Sequence, residues 1–415
     1  MKPSQTLMLI LFTVCTVTRA QVVPSATGPG LPVNGTLSYD LRYTQTAQFY
    51  GGFGGDTVWS VVSGEATYAN ANAARPTSLT YSGGDSWSLS GESEGTGIFQ
   101  HLMVSQGVNR RNWTFNLSDD VSYMPQAPTT GFSGIPGVGN LPGEPSISGQ
   151  SILTLNTRSV YNVLTSTYTH ILGHATNLSM NGSYGILRFP DNNGLEDDSL
   201  QVGAQVTRRL NAINSISGQY AYSHFSYPGY TLSMETQSAQ FGYQRSWSRR
   251  FQTNVSAGPE WIQGIASLQV PSTTGLTVNA NANYDAKPIT VTLSYVQATS
   301  GGAGVLTQVG VHNQDANIAF SRQFGRNLNV SATGSYMRTR GLQQAGLING
   351  QTGVTNGKYG GASATRRLGR YFTVFANYTA VQQSTSALLP SNAINGLSQV
   401  IGFGLGYSPR VKYFK

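Results

Sequence analysis

The chain has 415 residues and a formal charge of +8, but only 10% of it is Asp, Glu, Lys or Arg, against about a quarter in an ordinary soluble domain. Charge this sparse excludes the dense basic surface of a nucleic-acid binder, and a single cysteine excludes a disulfide framework or a thiolate metal cluster. With 22 Tyr, 16 Phe and frequent Val and Leu it is not the composition of a disordered chain either.

In chain order, residues 1–20 read as a secretory signal peptide. Lys2 gives a positive start, Leu7 to Val17 form an apolar run, and Thr18-Arg19-Ala20 ends on a small residue before Gln21. The run is too short to span a bilayer as a helix. A lipid-modified Cys15 would need small residues ahead of it, and Phe12, Thr13 and Val14 do not supply them. Removal of this segment takes Lys2, Arg19 and Cys15, lowering the charge from +8 to +6 and leaving no thiol. Residues 21–33 form a short periplasmic lead. No later stretch is long and apolar enough for a membrane helix.

From 34 to 409 the pattern has a period of two. Leu37, Tyr39, Leu41 and Tyr43 alternate with Ser38, Asp40, Arg42 and Thr44. Leu276, Val278, Ala280, Ala282 and Tyr284 alternate with Thr277, Asn279, Asn281 and Asn283. Ile289, Val291, Leu293 and Tyr295 alternate with Thr290, Thr292 and Ser294; Leu328, Val330, Ala332 and Tyr336 with Asn329, Ser331, Thr333 and Ser335. Side chains reverse at each strand residue, so every such strand has one apolar and one neutral-polar face.

The connections fall into two sets. Tight ones are expected at Asn109-Arg110, Leu172-Gly173, Leu210-Asn211, Ser248-Arg249, Lys287-Pro288, Gly325-Arg326 and Gly369-Arg370. Long ones, rich in Gly, Pro, Ser and Asn, are expected at 125–150, 189–197, 263–274, 341–356 and 385–396. Just before the tight turns runs a repeat: Val206-x-Arg208-x-Leu210, Tyr243-x-Arg245-x-Trp247, Phe320-x-Arg322-x-Phe324 and Ala364-x-Arg366-x-Leu368. Spacing by two puts each arginine on the apolar face at a strand end. There it can snorkel to lipid phosphates beside Trp247 and Phe324.

This arrangement resembles bacterial outer-membrane β-barrels of porin size over nearly the whole mature chain. The closing segment, with Gly402, Leu405 and Tyr407, is similar to the C-terminal assembly signal of that class, which the barrel assembly machinery reads. It departs in having Val400 where a polar residue is usual, and in a tail (410–415) beyond Tyr407. The resemblance implies an all-β, antiparallel up-and-down barrel of about sixteen to eighteen strands, with short periplasmic turns and longer external loops. It also implies outer-membrane localisation, contact with membrane lipid and lipopolysaccharide, and passive diffusion as the activity. A homotrimer is common in the class, but no residue here requires one.

On this reading the inward face is mostly neutral. Asn116, Asn181, Asn281, Thr292 and Thr333 line the lumen, with Asp40, Arg42, Glu65, Asp120, Arg209 and Glu260 as its sparse charges. A wall of this kind suits small hydrophilic, mostly neutral solutes. The stretch 125–150, the third external loop, holds five prolines and one acid, Glu144, and inward folding to constrict the pore is as plausible as rest on the surface. Asp119 is anomalous, because it falls on the face of Trp113, Phe115 and Leu117; a bulge or a position above the bilayer would explain it.

Motifs for chemistry are poor. His170 and His174 flank a tight turn and could meet across it, but His170 occupies the place of a rim arginine. There is no His-Glu-x-x-His, and Gly51-Gly52-Phe53-Gly54-Gly55-Asp56 lacks the lysine of a phosphate loop. No catalytic residue, cofactor or metal is expected. Three rivals remain: a plugged barrel with a structural or export role; a barrel-type hydrolase using His101, His224 or His312; and an extracellular solenoid. The repeat of about forty residues fits strand hairpins rather than solenoid coils.

Overall fold

The computed structural model describes residues 35–50, 57–70, 72–90, 97–124, 158–191, 196–229, 232–265, 272–301, 310–342, 354–385, 396–409 and 412–414. The signal segment, the lead, the 125–150 loop and residues 410, 411 and 415 of the tail lie outside them.

Alternating apolar and small polar residues fold as strands throughout. They are β1 (Gly35–Tyr50), β2 (Thr57–Asn70), β3 (Thr77–Ser90), β4 (Gly97–Asn109), β5 (Trp113–Met124) and β6 (Ser159–Ile171). β7 (Thr176–Arg188), β8 (Asp197–Arg209), β9 (Asn214–Tyr227), β10 (Leu232–Ser246), β11 (Phe251–Ile265) and β12 (Thr273–Ala286) follow. The series ends with β13 (Ile289–Ser300), β14 (Val311–Phe324), β15 (Leu328–Gly341), β16 (Val354–Leu368), β17 (Phe372–Thr385) and β18 (Gly396–Tyr407). Each pairs antiparallel with its neighbour in sequence, and β1 pairs with both β2 and β18, from Leu41 opposite Tyr407 to Tyr50 opposite Ser398. The sheet is therefore a barrel of eighteen strands closed by β1 and β18, and closure lets the strands satisfy one another's backbone groups. A short β19 (Lys412–Phe414) adds to β1 at Gly35–Leu37, so part of the tail pairs with the barrel.

The short connections all lie at one end. The turns foreseen at 110, 173, 211, 249, 287, 325 and 369 are present, and one more spans 72–76. Gly325 and Gly369 take φ of +61° and +72° in their turns, a region a side chain disfavours. Strands of 12 to 16 residues, rising about 3.3 Å each and tilted by about 40°, exceed an apolar band about 25 Å tall.

The apolar surface is inverted relative to a soluble protein. Forty large apolar side chains are exposed among the described residues, while thirteen are buried. Leu41, Val255, Leu293, Ile318 and Phe403 all point outward from mid-strand, and Phe403 is 62% exposed. Burial of such a band needs a hydrocarbon solvent. Among the described residues no helix is long and apolar enough to cross a membrane; a closed barrel can cross with its strands.

Candidate functional site

The lumen is built by strand pairing, because directly opposed residues share a face. Asn116 lies opposite Gly107 and Thr167, Asn181 opposite Thr167 and Gly203, and Asn281 opposite Asn254 and Ser294. Thr292 faces Asn283 and Ala319, and Thr333 faces Ala319 and Gly361. All five share the inward face, and several are joined side by side. Ser105 donates to Asn116 Oδ1 at 3.0 Å, and Thr292 donates to Asn283 Oδ1 at 3.2 Å. A Cβ at Gly203 would come 2.7 Å from Asn181 Oδ1, so glycine there gives the amide its room.

The charged residues named from sequence also face inward, in three different states. Arg42 bonds Asp40 through Nη2 at 2.7 Å and Nε at 2.9 Å, while Asp40 stands opposite Glu65. This group is open to the lumen. Arg209 stands at the end of β8 and donates to the His174 carbonyl at 3.5 Å. Asp120 is buried, its Oδ1 2.8 Å from His101 Nε2. Glu260 is also buried: it accepts from the Thr299 hydroxyl at 2.8 Å and from the Thr299 backbone N–H at 3.3 Å. These last two carboxylates fasten strands together rather than meeting solute.

Sequence reasoning missed four inward charges. Asp197 pairs opposite Leu187, Asp285 opposite Thr290, Asp315 opposite Val296 and Met337, and Arg367 opposite Thr373. Seven acids thus face inward against three arginines among the described residues. Parity alone would have found Asp315, since it shares a face with Asn317.

A second missed feature is apolar. Away from the tight turns the inward face changes character, and the protein's buried core sits there. Trp59, Val61, Phe99 and Met124 form one cluster, Leu187 and Phe189 with Tyr161 another, and Phe225, Tyr227, Met234 and Ile262 a third. The third cluster is covered by polypeptide from across the barrel. β12 pairs with β11 as far as Thr273, but β13 leaves β12 at Gln297 opposite Val278. The freed end of β13 turns inward, where Thr299 meets Glu260 and the Tyr227 hydroxyl donates to the Gly301 carbonyl. Gly310, at φ +73°, lies so near Met234 Sδ that a Cβ would come within 2.7 Å, and Leu342 packs on the same cluster. The upper end of β13, with Gly310 and Leu342 just beyond β14 and β15, therefore leans into the lumen and narrows it.

At the tight-turn end, Arg208, Arg245, Arg322 and Arg366 all take the outward face. Arg245 lies 4.1 Å over the Trp247 ring and Arg322 4.6 Å over Phe324. His170 is outward too, with its Nδ1 3.0 Å from the Tyr168 hydroxyl. Among the described residues no three His, Cys, Asp or Glu side chains gather as a metal site. His101 faces the lumen, whereas His224 and His312 lie on the outward faces of β9 and β14, so the three do not converge.

Asp119 sits in regular register between Val104 and Leu164, with no bulge. It keeps its outward place by accepting a 2.8 Å hydrogen bond from Asn162. In the closing strand, Leu405 and Tyr407 face outward and Gly402 inward. A Cβ at Gly402 would meet Asn377, and one at Gly404 would come 2.2 Å from the Phe375 ring, so the glycines accommodate larger side chains of β17. Beyond the strands, Arg158 forms a two-point ion pair with Asp191, one bond being Nε to Oδ2 at 2.7 Å. That bond holds the Asp191 carboxyl below the usual range and raises Arg158.

No protein-family model and no curated protein matches the chain. Solved structures do. Pseudomonas aeruginosa OccK2 (OpdF) matches at TM-score 0.50 and 12% identity, over 90% of this chain and 98% of that one. The same protein in complex with glucuronate matches at TM-score 0.49 over the same shares. A BenF-like porin from Pseudomonas fluorescens Pf-5 matches at 0.48 and 9%, over 90% and 99%. At such low identity the likeness is one of architecture alone, that of a closed antiparallel up-and-down barrel.

Proposed function

We propose that the protein is a channel of the bacterial outer membrane that passes small hydrophilic, mostly neutral solutes by diffusion. The observation that carries this reading is the inward face between the turns and the mid-barrel, where Asn, Ser and Thr follow one another around the wall. Such a wall replaces solute hydration without charging for a fixed sign. The surplus of inward carboxylates, of which Glu65, Asp285 and Asp315 lack a basic partner among the described residues, adds a mild preference for cations. On this reading Arg208, Arg245, Arg322 and Arg366 meet lipid phosphates at the periplasmic rim, and the closing strand serves assembly.

The narrowed external half favours a second reading, a barrel closed at rest. Planar-bilayer recording of the purified chain separates the two. Discrete openings, with cation preference weak and reduced by salt, support the channel. A folded barrel that inserts and conducts nothing supports the closed one.

A further inference from the structure

The outward face at the end opposite the tight turns differs from wall to wall. On β7–β10 its bases are already answered by acids: Arg188 lies 2.7 Å from Asp198 and 3.6 Å from Glu196, and the His224 ring lies 3.4 Å from Glu235. On β14–β16 they are not. Arg338 and Arg340 follow each other on the outward face of β15, Lys358 stands opposite Tyr336 on β16, and His312 stands opposite Arg340 on β14. Arg338, Arg340 and Lys358 are all exposed, and none forms an ion pair among the described residues.

The acid that reaches this patch is Glu260, which acts on His312 and is itself held by Thr299; Arg338 stands between Gln314 and Asn356, and Lys358 between Tyr336 and Gln382, with no acid opposite either. Residues 316–415 hold eleven of the chain's 25 Lys and Arg and none of its 17 Asp and Glu. The loops that join β13 to β14, β15 to β16 and β17 to β18 contain no acid either. Neighbours two apart on a strand, or opposed across a ladder, have Cβ atoms about 5–8 Å apart, so the three cations repel. They stand at and just past Tyr336, whose ring marks where the apolar band gives way to headgroups. At that depth the natural counter-charge belongs to the lipid. Guanidinium forks bind phosphate oxygens two at a time, and the lysine adds a point charge.

We propose that the outward face of β14–β16 binds the phosphate groups of a phosphorylated lipid in the external leaflet, through Arg338, Arg340 and Lys358. This rests on the reading that the barrel spans the outer membrane with its tight turns inside. The full chain would be refolded into phosphatidylcholine nanodiscs doped with a diphosphorylated lipid A or with the same lipid stripped of phosphate, and retained lipid counted by native mass spectrometry. Wild type should retain the phosphorylated form preferentially. With each charge near the surface worth about fivefold, R338Q/R340Q/K358Q should lose at least about tenfold of that retention. The single variants R338Q and K358Q, read the same way, should each lose part of it, and they carry the test if the triple variant does not fold. Equal retention of the stripped lipid, or unchanged retention in the variants, would overturn the proposal. Displacement by millimolar inorganic phosphate would also overturn it, as the mark of a free-anion site. Failure to insert, seen as a soluble chain without heat-dependent gel mobility, would instead overturn the membrane reading beneath it.

Discussion

At Glu260 a residue expected to line a pore turns out to hold one end of a strand. Its carboxylate satisfies both the hydroxyl and the backbone N–H of Thr299, and removal leaves buried donors without an acceptor, which costs about 1–3 kcal/mol. Glu260→Ala should therefore lower the midpoint of urea unfolding in lipid vesicles and raise single-channel conductance, as the inward-turned end of β13 loosens. Unchanged conductance would mean that this segment does not limit the pore. The Arg158–Asp191 pair allows a pH test. Because the folded Asp191 lies below its unfolded value, its contribution is full above the ordinary aspartate range and is lost as pH falls through the lowered value. Proteolysis near 158 and 191 should accelerate only at that acid end, and D191N should show the fast cleavage at neutral pH. The inward parity of Asp120 and Glu260 was legible in the sequence, but not their burial, since His101 and Thr299 reach them from other strands.

At the scale of the strand, alternation specifies each element because a one-residue slip would turn every apolar side chain into the lumen. Ile318 is near the middle of β14 and 49% exposed, and Ile318→Arg should destabilise the barrel by about 2–4 kcal/mol in vesicle unfolding, falling toward zero for a substitution at the rim. β18 is constrained from its inner side as well. With the Phe375 ring 2.2 Å from a Cβ at 404, Gly404→Ala should overpack the β17–β18 seam at a cost of about 1–3 kcal/mol. Phe375→Ala should relieve only part of it in a double-mutant cycle, because the Tyr43 carbonyl oxygen would still lie 2.6 Å from that Cβ. The hairpin turns were legible from Gly, Asn and Pro at the strand ends. The turn at 72–76 was not, because Asn72-Ala73-Ala74-Arg75 continues the small and polar run that precedes it.

At the scale of the whole molecule, charge is sorted by surface: acids exceed bases inside, while the outward wall of β14–β16 carries only bases. If the protein is the proposed channel with the proposed lipid site, ion selectivity and lipid contact are separated, and reversal-potential measurements should give a weak cation preference that R338Q/R340Q/K358Q leaves unaltered. A shift of selectivity in that variant would place those charges on the ion path instead. The sequence by itself determined the class of solvent on each face, the strand count to within two, and the end that carries the tight turns, because a period of two is a local property of neighbouring residues. Only the tertiary structure decided where the lumen is narrow. The clusters at Trp59, Leu187 and Phe225, and the parting of β13 from β12, join residues that in the third cluster lie more than seventy positions apart, and no local pattern records which of them will meet.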